Sequence, residues 1–141
     1  MNFAHPDFPN SSIEHFHITS PPTPDYNCIA WAYGDNTKWY WPMSDFSFWP
    51  NDIEQEVMLS SFISLFSKQG YAVCDSDELE IGFEKVAIYS DKQGVPTHAA
   101  RQLNDGTWTS KLGMLFDVSH TIYSIDGGAY GSICTCLKRQ I

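Results

Sequence analysis

The sequence predicts an α+β protein, with helices in its first half and an antiparallel sheet in its second half. One long apolar pattern with helical spacing predicts a helix over 52–69. After residue 70 the chain changes to short apolar runs separated by Gly, Asn and Asp, which is typical of strands and turns. Helices followed by strands are typical of the α+β class. The 141 residues contain no internal repeat, so we expect a single domain over 1–141.

The first 24 residues are rich in His, Pro, Ser and Asn, and we expect an extended arm (1–24) with one strand at 13–19. A short helix over 28–34 follows. Asn27 can cap it through its side-chain oxygen, and Gly34 can end it in a left-handed conformation. Cys28 then lies over free N–H groups that stabilise a thiolate. The alternative is a buried cysteine that only packs beside Trp31.

An aromatic segment between Trp39 and Trp49 follows the short helix. It is expected either to cover the core or to wall a substrate cleft, with Trp31 and Trp41 as candidate substrate contacts. The 52–69 helix should then present one apolar stripe to the core. The stripe consists of Ile53, Val57, Phe62, Leu65 and Phe66.

The second half predicts a sheet whose central feature is a hairpin. We expect strands at 71–74, 83–89, 97–103, 107–112 and 132–137. The third and fourth of these strands are joined by Asn104-Asp105-Gly106, a strong turn signal.

His98, at the start of a hairpin strand, is the candidate base for Cys28, and its alternative role is a hydrogen-bonded histidine at the edge of the sheet. A third polar group should orient the imidazole. With a three-residue turn Ser110 lies diagonal to His98, whereas a two-residue turn makes Lys111 and Gly113 the neighbours. Asp117 is the better acceptor chemically, and its alternative role is to cap a following turn.

Taken together, these residues resemble the papain-like cysteine hydrolases, including the compact NlpC/P60-type enzymes. Asn27-Cys28-Ile29-Ala30-Trp31-Ala32 is similar to the nucleophile helix, and Thr97-His98-Ala99-Ala100 to the strand that carries the base. The resemblance implies a papain-like fold with Ser110 in the position of the orienting Asn. The glutamine of the oxyanion hole is replaced by Pro22, so Asn27 or the Cys28 backbone N–H would serve instead.

The sequence also resembles an uncharacterised family of small bacterial proteins. Its signatures are Asn-Cys-Ile-Ala-Trp-Ala, Thr-His-Ala-Ala-Arg-Gln-Leu and Ser-Lys-Leu-Gly. The predicted function is therefore a thiol-dependent hydrolase or acyltransferase acting on an amide or isopeptide, as a protease, amidase, deamidase or transglutaminase. The alternative is a non-catalytic binding or immunity module that uses the aromatic surface between Trp39 and Trp49.

A formal net charge of −9 argues against nucleic-acid partners and against an anionic membrane surface. A peptide or protein substrate is the expected partner, with no cofactor and no metal. A metal site built on His15 and His17 is the remaining alternative. With no leader or membrane-spanning segment in the sequence, we expect a cytoplasmic protein, or secretion as an effector module.

Overall fold

A computed structural model describes residues 2–43, 46–112 and 116–141 of the chain. Within these ranges, eight strands and two α-helices are present, together with a 3-10 turn at Pro9–Ser12. The helices are α1 (Cys28–Tyr33) and α2 (Leu59–Ser67). The strands are β1 (Asn2–Phe3), β2 (Phe16–Ser20), β3 (Ala72–Cys74), β4 (Phe83–Ser90), β5 (Pro96–Gln102), β6 (Trp108–Lys111), β7 (Asp117–His120) and β8 (Ser132–Gln140).

All eight described strands form one sheet in the order β1-β2-β7-β6-β5-β4-β8-β3. Every pairing between these strands is antiparallel. The N-terminal residues, expected as an extended arm, therefore supply one edge of the sheet through β1 and β2, and β2 begins at Phe16 rather than at residue 13. The other edge is the three-residue strand β3, which pairs with β8.

Each face of the sheet packs against its own apolar cluster, because side chains alternate between the two faces of a strand. On β4, Val86 and Ile88 face the helices, while Ala87 and Tyr89 face the opposite side. The helix-side cluster contains α1, the apolar side of α2 and Ala99 of β5. The opposite cluster contains Phe8, Phe16, Ala100, Trp108, Val118 and Ile125. The sheet is therefore covered on both faces.

The predicted α+β papain-like fold, with its long helix over 52–69, is wrong. The chain is mostly an antiparallel sheet, and only Leu59–Ser67 of the predicted helix is helical. Asp52 and Lys68 form an ion pair at 2.6 Å, whereas one helix would hold residues so far apart in sequence about 24 Å from each other. Residues 51–58 instead fold back over α2. Trp49 Nε1 donates to the Glu54 carbonyl at 3.1 Å and occupies an acceptor that a helix would use.

The predicted ends of the short helix are confirmed. Asn27 Oδ1 accepts a hydrogen bond from the Ala30 amide at 3.1 Å, and Gly34 ends the helix at φ 99°. The predicted hairpin is also confirmed, with Arg101 opposite Thr109, so that the turn has three residues. Strands β1 and β7 are not among the predicted strands. No helix in the described ranges is long and apolar enough to cross a bilayer.

Candidate functional site

Cys28 lies at the first position of α1, where the helix packs against the sheet. Its side chain is 7% exposed and belongs to the helix-side cluster. The backbone amides of Ala99, Ile29 and Cys28 itself contact the sulfur and favour the thiolate. Burial outweighs these contacts and raises the pKa of the thiol to about 11. The free protein therefore holds Cys28 as a neutral thiol at pH 7.

His98 on β5 is fully buried and belongs to a chain of hydrogen bonds that ends at a backbone carbonyl. Its Nε2 lies 2.9 Å from Ser110 Oγ, and the same hydroxyl lies 2.7 Å from His120 Nε2. His120 Nδ1 lies 2.6 Å from the carbonyl oxygen of Thr121. No described residue forms a hydrogen bond with His98 Nδ1.

The Thr121 carbonyl fixes the direction of this chain, because a carbonyl oxygen can only accept a hydrogen bond. His120 therefore carries its proton on Nδ1. Burial lowers the pKa of His120 to about 4, so its Nε2 is unprotonated at pH 7. It accepts a hydrogen bond from the Ser110 hydroxyl. Ser110 then accepts from His98 Nε2–H. Burial, with a smaller effect of His120, lowers the pKa of His98 well below its usual value. His98 is thus neutral, with a lone pair on Nδ1.

Tyr130 links His98 to a cavity of about 400 Å³ that contains Cys28. The phenol ring stacks on the imidazole at 4.0 Å between centroids, with an angle of 6° between the planes. In the described parts of the chain, the residues that line the cavity carry no charged side chain. They are Asn27, Cys28, Trp39, Trp41, Ser47, Thr97 and Tyr130.

Cys28 packs against one face of β5, and the His98 side chain projects from the other face. The sulfur contacts the amide of Ala99, the residue that follows His98 and packs on the helix side. His98 points to the opposite face, where its ring also contacts Tyr89 at 5.7 Å. Strands β5 and β6 pair at Arg101 with Thr109 and at Gln102 with Trp108, so the His98–Ser110 hydrogen bond lies beyond the paired residues. The structure brings His98 and Ser110 together, but no hydrogen bond joins Cys28 to His98.

Asp117 lies away from His98, in a polar group on the helix-side face. Its Oδ2 accepts hydrogen bonds from the hydroxyls of Ser20 and Tyr26, each at 2.5 Å, and its Oδ1 has no partner among the described residues. Lys111 is directly opposite Asp117 on β6 and is fully buried, with Nζ 5.4 Å from the Tyr26 ring. Burial lowers the pKa of Lys111. Gly113, the other predicted neighbour of His98, lies outside the described residues.

The three predicted oxyanion or substrate contacts have different positions. Asn27 holds the segment around Tyr40, donating to its carbonyl at 2.9 Å and accepting from its amide at 3.1 Å. Its side-chain oxygen therefore already accepts two backbone hydrogen bonds, from Ala30 and Tyr40. Trp41 lines the cavity, and its ring meets Phe62 edge-on, with ring centroids 5.4 Å apart. Trp31 does not line the cavity; it stacks on Tyr26 with ring centroids 5.8 Å apart.

Tyr130, Thr97 and His120 belong to the site but were not predicted as site residues, and Lys111 was predicted only as an alternative neighbour of His98. The signal for Tyr130 was the surrounding glycines. Gly131 has φ 79°, and a Cβ there would lie 1.9 Å from the Ser90 carbonyl oxygen, so only glycine lets this loop approach β4. The signal for His120 was its alternation with Val118, which is typical of a strand with one buried face. No group of three His, Cys, Asp or Glu side chains in the described ranges is arranged to hold a metal ion.

The sequence model of Domain of unknown function (DUF7689) matches residues 17–138, which is most of the chain. The chain belongs to this family. The matched region contains every residue of the site described above. No curated protein and no solved structure matches the chain.

Proposed function

We propose that the protein is a thiol-dependent hydrolase or acyltransferase, with Cys28 as the nucleophile and His98 as the base. The observation that carries the proposal is that Tyr130, which lines the cavity together with Cys28, also stacks on the buried His98 imidazole. This imidazole is held through Nε2 by Ser110 and keeps its Nδ1 without a partner among the described residues.

The proposed reaction starts from two neutral groups, because burial raises the pKa of Cys28 and lowers that of His98. The reaction requires the sulfur to leave the Ala99 amide and reach His98 Nδ1 when substrate fills the cavity, because in the free protein the two side chains lie on different faces of β5. The Sγ–H proton passes to His98 Nδ1 as sulfur attacks the carbonyl carbon and the carbonyl oxygen becomes an oxyanion. The Cys28 backbone N–H is the expected donor to this oxyanion, because the Asn27 oxygen is already committed.

The intermediate collapses when the carbon–nitrogen bond breaks. His98 Nδ1–H donates its proton to the leaving amine, and a thioester remains on Cys28. Water then attacks the thioester in a hydrolase, or an amine attacks it in an acyltransferase. His98 accepts the proton of the attacking group, the carbon–sulfur bond breaks, and His98 returns the proton to the Cys28 sulfur.

The lining of the cavity indicates an uncharged acyl group. Trp39, Trp41 and Tyr130 offer aromatic surface, and Ser47 and Thr97 offer hydroxyls. A charged acyl group would lose its hydration here and find no opposite charge among the residues that line the cavity. Peptide, isopeptide and glutamine side-chain amides are consistent with these walls.

The test uses p-nitrophenyl acetate as a generic acyl donor, followed by peptide mapping of the acetyl group. We expect a burst of p-nitrophenol and acetylation of Cys28. Cys28→Ala should abolish the burst, and His98→Gln should slow it by about a hundredfold or more. Cys134→Ser is the matched control, because this thiol is exposed and does not line the cavity. Acetylation at Cys134 alone, or an unchanged rate in a folded His98→Gln protein, would contradict the proposal.

The exposed aromatic segment supports a second candidate function, the binding of an apolar peptide segment. Phe46 is 96% exposed, Phe48 is 42% exposed and Met43 is 71% exposed, beside the tryptophans that line the cavity. Such exposure is typical of an interaction surface. Phe46→Ser combined with Phe48→Ser should then weaken binding to an immobilised peptide library, while Cys28→Ala should bind normally. A library that shows no binding to the unmodified protein would reject this candidate.

A further inference from the structure

Three cysteines line a second cavity, at the edge of the sheet formed by β8 and β3. Cys74, Cys134 and Cys136 surround a volume of about 390 Å³, together with acidic residues of the loop that follows β3. Cys28 is not among the residues that line this cavity, so the cluster is separate from the site proposed above.

Cys74 and Cys136 are directly opposite each other on the antiparallel pair β3 and β8. Directly opposed residues have Cα atoms about 4.5–5.5 Å apart and project their side chains to the same face. Disulfides join Cα atoms about 4.4–6.8 Å apart. The backbone therefore already has the spacing that a Cys74–Cys136 disulfide needs. Both thiols are free in the structure.

We propose that Cys74 and Cys136 form a reversible disulfide by exchange with a low-molecular-weight disulfide. The Cys74 sulfur attacks one sulfur of that disulfide, the disulfide bond breaks, and the first small thiol leaves with the Cys74 proton. Cys136 then attacks the Cys74 sulfur, the mixed disulfide bond breaks, and the second small thiol leaves with the Cys136 proton. Two protein thiols become one disulfide while one small disulfide is reduced to two thiols.

The environments of the thiols set the order of these steps. Cys74 is partly exposed, whereas Cys136 is 7% exposed. Burial raises the pKa of Cys136 to about 12, with smaller electrostatic contributions from Cys74 and Asp77. Cys136 is therefore a poor first nucleophile. It reacts as the resolving thiol, because the mixed disulfide on Cys74 forms directly opposite it.

The disulfide would fasten the edge of the sheet. Among the described strands, β3 pairs with β8 alone, and through three residues. The new bond would close a loop over 75–135, which contains four other strands of the sheet. Closing a loop of this length stabilises a protein mainly by restricting its unfolded chain.

The test incubates the reduced protein with oxidised glutathione and maps disulfides in a non-reducing digest. We expect one linked peptide pair, Cys74 with Cys136, and a thermal midpoint raised by about 5–10 °C. Cys74→Ser should lose both effects. Cys28→Ser should retain both, which separates this result from the failure or success of the catalytic proposal.

Cys134→Ser is the matched control in the same cavity. Cys134 is exposed and lies where the β4–β8 register shifts, rather than opposite Cys74. Its removal should leave the Cys74–Cys136 linkage and the thermal shift unchanged. A linkage that includes Cys134, glutathione attached without an internal disulfide, or no oxidation at all would each overturn the proposal.

Discussion

Replacing Ser110 with alanine tests the hydrogen-bond chain that defines the state of His98. The hydroxyl accepts from His98 Nε2 at 2.9 Å and donates to His120 Nε2 at 2.7 Å, and all three side chains are buried. Alanine leaves two buried ring nitrogens without a partner, and each such loss costs about 1–3 kcal/mol. We therefore expect Ser110→Ala to lower the free energy of unfolding by about 2–6 kcal/mol.

Ser61 provides the matched control for this experiment. It is 2% exposed, and its hydroxyl has no hydrogen-bond partner among the described residues. Ser61→Ala removes a hydroxyl that is buried without compensation and places a better helix former in α2, so stability should stay within about 0.5 kcal/mol or rise.

The assay is urea unfolding at pH 7 followed by tryptophan fluorescence, with free energies compared at equal m values. The two variants should differ by at least about 2 kcal/mol. A difference below about 1 kcal/mol would refute the chain, because no buried partner of Ser110 would then have been lost. The assignment of the free lone pair to His98 Nδ1 would fall with it.

Three further predictions test the electrostatics and the turn geometry. Because the pKa of Cys28 is about 11, its alkylation by iodoacetamide should still accelerate between pH 9 and 11, whereas a plateau below pH 8 would show a thiolate. Below pH 6.5 the unfolded chain binds a proton on His120 that the folded protein accepts only near pH 4. Urea unfolding should therefore show about 2 kcal/mol less stability at pH 5 than at pH 7, and a flat profile would contradict the buried neutral imidazole. Gly131→Ala should lower the thermal midpoint more than Gly127→Ala, because both glycines have positive φ but only the first Cβ would meet backbone, 1.9 Å from Ser90 O. Equal midpoints would show that the loop can move away from β4.

Local sequence signals predicted the parts of the fold that depend on nearby residues. The Asn27 cap and the Gly34 end of α1 involve a few consecutive residues, and both were confirmed. The turn Asn104-Asp105-Gly106 predicted the hairpin but left two registers open, and the observed three-residue turn is the one that makes Ser110 the neighbour of His98.

The long helix was wrong because its apolar pattern is compatible with more than one backbone. Ile53 is 8% exposed and packs in the same cluster as Phe62, as the stripe predicted. It does so from a segment that reverses direction before α2. The Trp49 contact with the Glu54 carbonyl and the Asp52–Lys68 ion pair depend on tertiary packing, which helical periodicity does not contain.

The face of each strand residue could not be predicted without the assembled sheet. Cys28 contacts the amide of Ala99, and side-chain alternation then directs His98 to the other face. Asp117 was a reasonable partner for His98 by chemistry, yet the register opposite Lys111 places it on the helix side. The sequence patterns therefore predicted which residues lie near Cys28 and His98, but not which of them form pairs.

The chain of hydrogen bonds from His98 to Thr121 places polar groups in an apolar cluster, at a cost in free energy. It lies among Phe16, Tyr89 and Trp108, where apolar side chains of similar size would avoid the desolvation of three polar groups. Every hydrogen-bonding atom in the chain is satisfied except His98 Nδ1. Stability alone does not explain an arrangement that ends on an uncompensated acceptor. A fixed imidazole with one free lone pair is what a general base requires, and its stacking on Tyr130 beside the Cys28 cavity is the reason to search for acyl transfer in this protein first.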